Sequence, residues 1–390
     1  MANIIVSVNG HASSPAPLDA SKTKMTLATS LKSVPPAEDL VFGQLTTDHM
    51  AIVSYDPING WSDPEIKPYG PLTLDPLSSC FQYSTNLFEG MKAYMGADGK
   101  SRLFRPDMNM ARMDRSRERV ALPPMDTNEV LAIIRRLVAL EERWIPRVTG
   151  HSLYIRPTLI GTRASLGVGP SDSAILYVVC SPTGPYFRVS RMLSLKAVGE
   201  HVRSWPGGTG GYKLAINYAP TFAPQRTANK EGYDQILWLL DDKITEAGAM
   251  NFFAVFKRDD GGLDIITPPT DGTILPGVTR DSCIALAKAH GYELVLPGLA
   301  TDVKLHVHER AITVTEIAAA YEAGKLLEIF VVGTAVTVAS VDRIGTEGKK
   351  DIHLQQHEGC LGPVARGLYQ KITDIQEGRD QYRDWSVLCE

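Results

Sequence analysis

Cysteine is sparse and unpaired in this 390-residue chain: Cys80, Cys180, Cys283, Cys360 and Cys389 are odd in number and widely scattered, with no Cys-x-x-Cys. That excludes a disulfide scaffold and a zinc ribbon, and suits reduced thiols in a cytosolic setting. No apolar run approaches the roughly 20 residues that a bilayer-spanning helix needs. A strong excess of one charge is missing too: 40 Lys and Arg face 44 Asp and Glu, a net of −4. Neither nucleic acid nor a membrane is therefore expected as a partner. The first thirty residues carry Lys22 and Lys24 but no Arg, and Asp19 interrupts them. They make a poor secretory signal and a marginal mitochondrial one. The last four residues are no peroxisomal address, so a cytoplasmic location is expected, with a mitochondrial one left open.

Several catalytic signatures are also missing. There is no Gly-x-Ser-x-Gly, no P-loop spacing and no dinucleotide fingerprint. His306 and His308 would share one strand face beside Glu309, but no third ligand is in evidence, so no metal is expected.

Apolar residues make up 44% of the chain, enough for a large core, and its length exceeds what one core usually serves. Two domains are expected. Residues 1–38, rich in Ser, Ala, Pro and Thr, read as a loosely held arm. Residues 51–55 read as a strand ending in a turn at 56–60, and 81–94 carries the apolar spacing of an amphipathic helix. Arg105, Arg115 and Arg117 read as solvated helix charges. Asp126 and Glu129 resemble a capping box, followed at helical spacing by Val130, Ile134, Leu137, Val138 and Trp144. Residues 153–157 and 174–180 read as strands, the first with Tyr154 and Arg156 on opposite or staggered faces. Residues 181–187 form the best linker, giving segments 39–183, 184–191 and 192–390. Beyond it, 235–240 and 244–256 read as a hairpin around 241–243. Thr279 reads as the cap of a helix closed by Gly291, and Thr313 as the start of another ended by Gly324. A strand at 328–332 and a closing helix at 361–376 complete the chain.

The most unusual stretch is Gly207-Gly208-Thr209-Gly210-Gly211-Tyr212-Lys213. Four glycines allow a tight fold or a close approach to a ligand, and they end at a lysine flanked by apolar residues. Such a setting disfavours the ammonium form and frees the amine to attack a carbonyl, which points to a Schiff-base lysine at Lys213. The other reading is a phosphate cradle in a nucleotide-binding module. Tyr218 follows five residues later, and Glu246 supplies a carboxylate between two strand-like runs.

Phe88-Glu89-Gly90-Met91-Lys92-Ala93, Leu103-Phe104-Arg105-Pro106, Tyr154-Ile155-Arg156-Pro157, Gly211-Tyr212-Lys213-Leu214, Thr245-Glu246-Ala247-Gly248 and Ile274-Leu275-Pro276-Gly277-Val278-Thr279-Arg280 occur in this order. Together they resemble the branched-chain-amino-acid aminotransferases, in the eukaryotic branch of the fold type IV pyridoxal-phosphate enzymes, over residues 40–385. The resemblance implies an α+β, mixed α/β fold of two domains: a small α/β domain at 39–183 and a large cofactor-binding domain at 192–390. It implies a homodimer that carries pyridoxal 5'-phosphate and moves an amino group between branched-chain L-amino acids and 2-oxoglutarate. Lys213 would be the catalytic amine. Arg112, Tyr218, Glu246, Val278, Thr279 and Thr334 would join it in holding the cofactor. Tyr83, Phe88, Tyr154, Arg156, Tyr186, Ala249 and Ala335 would bind substrate, with Leu166 and Val168 lent to the partner subunit. The linker would act as a lid.

The chain departs from that pattern in three respects. Ala249 stands where the family carries threonine, bulkier residues such as Ile216 follow Lys213, and Val336 and Ala339 replace a redox Cys-x-x-Cys found in some relatives. The first two changes leave other substrates open: another hydrophobic 2-oxo acid, a D-amino acid or an (R)-amine. A pyridoxal-phosphate lyase is a further alternative. The third predicts that no such redox switch operates.

Overall fold

β-branched and aromatic runs build two mixed sheets, and a cleft forms where they meet. A computed structural model describes residues 14–187, 191–289 and 294–389. In the first sheet the strand order is Lys24–Met25, Glu65–Pro68, His49–Asp56, Ala174–Thr183, Ser152–Gly161, Met91–Met95, Ser101–Phe104 and Ser386–Leu388. Helix Thr127–Leu140 packs on it because Val130, Ile133, Ile134, Leu137 and Val138 recur every three or four residues, and all five are buried. Asp126 caps this helix through the Asn128 amide, but Glu129 accepts from the Ala20 amide at 2.6 Å instead of closing a capping box. With Leu18 and Ala20 buried as well, residues 14–38, read above as a loosely held arm, run along this sheet and add a short strand to it.

The second sheet closes on itself. Lys243–Ala247, Gln235–Leu240, Leu193–Val198, Thr337–Gly345, Leu326–Gly333 and Met250–Lys257 follow in order, and the last pairs back onto the first with Glu246 opposite Asn251. Leu263–Thr267 and Leu305–Glu309 extend it. Period two along Met250–Lys257 sends Phe252, Ala254 and Phe256 into a core with Ile312 and Ile317. Phe253 and Val255 go into another core, under helices Val278–Lys288 and Pro363–Gln376. Both faces of this strand are covered, so it reads as an unbroken apolar run.

Five local expectations need correction. The hairpin arm at 244–256 is two strands, because Gly248, at φ 58°, reverses the chain. The stretch 81–94 is not one helix: helix Ser79–Tyr83 stops at Ser84, at φ 51°, and Asn86–Phe88 and Met91–Met95 then pair with Ser152–Gly161. Sheet pairing outweighs the helical spacing there. Tyr154 and Arg156 share one face, as residues two apart on a strand must, and Arg156 donates to the Tyr154 hydroxyl at 3.0 Å. Thr279 lies inside its helix, whose cap is Gly277; Gly291 falls outside the described residues. Arg105 is largely covered, bonded to Asp281 and Ser282 and stacked on Trp385, while Arg117 turns back onto Asp114; Arg115 alone of the three is exposed.

Candidate active site

Lys213 is clamped from both sides. Its carbonyl accepts from the Phe88 amide at 3.2 Å and its own amide donates to Ser116 Oγ at 2.9 Å. The glycine run makes this approach possible, since a Cβ on Gly210 would lie 2.5 Å from that of Ser204 and 2.6 Å from the Thr273 carbonyl. Two short turns, Ala215–Asn217 and Ala219–Thr221, then bring Tyr218 back, with its hydroxyl 3.3 Å from Lys213 Nζ. The Phe88 ring centre lies 4.9 Å from the same nitrogen.

Glu246 is buried at the seam where the second sheet closes. Its Oε1 accepts from the Leu275 amide at 3.0 Å and from Asn251 Nδ2 at 3.1 Å, and Arg203 Nη2 stands 2.9 Å from Oε2. Burial raises its pKa, against the pull of Arg203 and the Leu275 amide. Oε2 nevertheless makes no well-aligned hydrogen bond, and neither does Arg203 Nη1.

Arg112, on helix Pro106–Arg119, spends its fork on a residue the sequence motifs contain but whose role they do not reveal. Nε and Nη2 grip Glu89 at 2.7 and 2.8 Å, and Nη1 donates to the Pro276 carbonyl at 3.0 Å. Burial pushes the Glu89 carboxyl up, but the Arg112 charge and its hydrogen bonds prevail and hold it below the usual range. Of the five guanidinium N–H groups two remain, and Arg112 lines the cleft. Opposite it, helix Val278–Lys288 starts at Gly277 with no side-chain cap, leaving its first amides without intrahelical acceptors. A Cβ on Gly277 would sit 2.1 Å from Asn251 Oδ1, so only glycine fits that helix start.

The cleft holds about 550 Å³ and brings together Phe88, Arg112, Tyr154, Arg156, Tyr186, Lys213, Tyr218, Glu246, Ala249, Val278, Thr279, Thr334 and Ala335. Phe42, missed in the sequence, packs edge-on to Tyr154 and Tyr186 with ring centres 4.7 and 5.1 Å away, completing an aromatic wall. Gly90 leaves room for that wall: a Cβ there would lie 2.0 Å from the Tyr154 hydroxyl. Tyr83, expected to bind substrate, and Leu166 and Val168, expected to be lent to a partner subunit, do not line this cleft. Tyr83 bonds the Leu166 carbonyl and is half-exposed, Leu166 is 61% exposed, and Val168 is 89% exposed, all away from their own chain's cleft. The turn at Ser84 sets the Tyr83 ring outward. Arg203 and Glu89 were not foreseen either; each stands in or against a motif, but its partner lies on a distant segment.

The cleft fits pyridoxal phosphate. A buried carboxylate oxygen without a good donor suits a protonated ring nitrogen, an uncapped helix start beside a guanidinium suits a phosphate, and an amine lines the same cleft. Fold and cleft define a class IV amino-transferase: the model of the family described as amino-transferase class IV matches residues 86–344. The cytosolic branched-chain-amino-acid aminotransferase of Saccharomyces cerevisiae is 45% identical over 376 residues, covering 95% of this chain and 97% of that one. The cytosolic enzyme of that name in Mus musculus is 42% identical over 368 residues, covering 93% and 91%. The chain belongs to the branched-chain-amino-acid aminotransferase family. Its fold is that of the Thermoproteus uzoniensis branched-chain aminotransferase solved with norvaline: TM-score 0.67 at 22% identity, covering 88% of this chain and all of that one. The Thermobaculum terrenum branched-chain amino acid aminotransferase, solved in its pyridoxal-phosphate form, also gives 0.67 at 22% identity, covering 89% and 100%.

Proposed function

We propose that this protein is a pyridoxal-phosphate-dependent transaminase that moves the amino group between branched-chain L-amino acids and 2-oxoglutarate. The observation that carries it is the meeting of one amine, one buried carboxylate and one uncapped helix start beside a guanidinium in a single cleft. Bound there, pyridoxal phosphate supplies an electron sink for the charge left when an amino acid loses its α-proton.

The chain's own residues do the rest. Lys213 Nζ would hold the cofactor covalently when no substrate is present and, once displaced, its free amine would take the proton from the substrate's α-carbon and hold it as an ammonium. Glu246 would face the ring nitrogen with Oε2, the Arg203 charge opposing the upward push of burial on its pKa. Tyr218 donates to the cofactor's ring oxygen and fixes the Lys213 amine. Arg112, the amides of Val278 and Thr279, and the Thr279 and Thr334 hydroxyls anchor the phosphate. Phe88, Tyr154, Tyr186 and Phe42 wall the side-chain pocket and exclude water, so selection there rests on buried apolar area. Arg156, stacked 4.5 Å over Phe88, supplies positive charge for the second carboxylate of 2-oxoglutarate.

Tyr83, Leu166 and Val168 act in the partner's cleft, in a homodimer. Their joint exposure on one patch supports this reading. A panel of amino donors against 2-oxoglutarate tests the function. Glutamate should form fastest from leucine, isoleucine or valine. Its formation from none of them, by protein that carries the cofactor, would overturn the assignment.

A further inference from the structure

We propose that Lys92 is a positioning residue for substrate binding: its ammonium group holds the Thr334-Ala335-Val336 turn so that the turn's amides receive the substrate carboxylate. This rests on the transaminase reading above. Lys92 sits on Met91–Met95 in the first sheet, 7% exposed, and its Nζ donates to the Ala335 carbonyl at 2.8 Å. Among the described residues no carboxylate pairs with it, and burial alone pulls its pKa down to about 8. A buried ammonium without a counter-ion is costly, and an apolar side chain would fill the same space with less penalty. Something at this position requires a long cationic donor.

The turn it grips joins Leu326–Gly333 to Thr337–Gly345 in the second sheet, so the contact spans the two halves at the edge of the cleft. The backbone N–H groups of Thr334, Ala335 and Val336 have no acceptor among the described residues. Thr337, a β-branched residue, closes the turn at φ 63°, a conformation such residues avoid unless their surroundings impose it. Ala335 and Val336 line both the Lys213 cleft and a second cavity of about 230 Å³ behind the turn, and it is this second cavity that Lys92 borders. A trans peptide points its carbonyl and its N–H in opposite directions, and no cis bond occurs among the described residues. With the Ala335 carbonyl drawn to Lys92, the Val336 N–H is turned away from Lys92 toward the Lys213 cleft. The ammonium charge also polarises that peptide, which strengthens the N–H as a donor to an anion.

The test uses holoenzyme and 4-methylvaleric acid, a branched acid with neither an amino nor an oxo group, so that carboxylate recognition is read without turnover. Calorimetry on Lys92→Met should show its Kd raised about tenfold. KM for leucine should rise by about the same factor, with kcat within twofold and with borohydride-fixed cofactor unchanged. Lys92→Arg, which keeps the charge and the donor, should recover most of the affinity. Wild-type Kd in Lys92→Met, or a fall in kcat with KM unchanged, would overturn the proposal. If Lys92→Met does not hold its fold, Lys92→Gln decides: weakened binding supports the role and wild-type binding overturns it. Failure of the wild-type holoenzyme to bind the acid overturns both this role and the transaminase reading, whereas failure confined to the Lys92 variants' predicted effects overturns this role alone.

Discussion

Arg203 Nη2 lies 2.9 Å from Glu246 Oε2, with both side chains almost wholly buried. Burial drives this carboxyl toward its neutral form, and the Arg203 charge is the largest influence opposing it. Arg203→Met removes that opposition, which pushes the Glu246 carboxyl further toward its neutral form and weakens it as an acceptor for the cofactor ring. The expected result is a kcat lower by roughly 100-fold, with the cofactor still attached at Lys213. Unchanged kcat in a folded, coloured variant would show that Glu246 holds its charge without Arg203.

Ala249 lines the cleft with no hydroxyl to offer. Restoring one with Ala249→Thr adds a hydrogen bond to the substrate carboxylate, worth about 1 kcal/mol. kcat/KM for leucine should rise roughly fivefold in steady-state assays. A lower or equal value would mean that the position is already compensated, for which the Gln235 carboxamide, also lining the cleft beside Gly248, offers a polar group.

Much of this site was legible in the sequence. The glycine run singled out Lys213 by itself, whereas roles for Tyr218 and Glu246 came only with the family resemblance of the motifs around them. Pairings between distant segments could not be read from either. Glu89 stands in a quoted motif, yet nothing local shows that Arg112 will turn its fork onto it instead of leaving it free for phosphate. Arg203 lies beside the glycine run, and only closure of the second sheet brings it to Glu246. Periodicity found helices such as Thr127–Leu140, where one face is buried. It failed at 81–94 and 244–256, where Ser84 and Gly248 take positive φ and reverse the chain. Tyr83 does not line its own chain's cleft, and a motif does not say where the turn after it will send the side chain.

Glu328 gives a pH dependence of known sign. It is buried against the start of helix Pro363–Gln376, accepting from the Val364 amide at 2.7 Å and the Ala365 amide at 3.3 Å, and burial pushes its pKa up to about 7. Between the ordinary carboxyl range and pH 7 the folded chain keeps a proton that the unfolded chain has released. The stability this contributes is present at low pH and is lost as pH rises through about 7. Glu328→Gln carries no such proton, so its Tm should gain on wild type as pH is raised from about 5 to 8. A constant Tm difference across that range would contradict the assignment.

Leu166 and Val168 face outward beside Tyr83. Leu166→Asp should break the proposed dimer, shifting the sedimenting species toward the 42.6 kDa chain and lowering activity together. A monomeric wild type with full activity would remove the need for a partner.

The most direct measurement concerns Lys213 itself. Purified protein with pyridoxal phosphate should show a visible absorption band that borohydride abolishes, leaving a pyridoxyl group that peptide mass mapping finds on Lys213. Lys213→Ala should show neither the band nor the label. A colourless wild type that stays colourless in excess cofactor, or a label on any other lysine, would contradict the account.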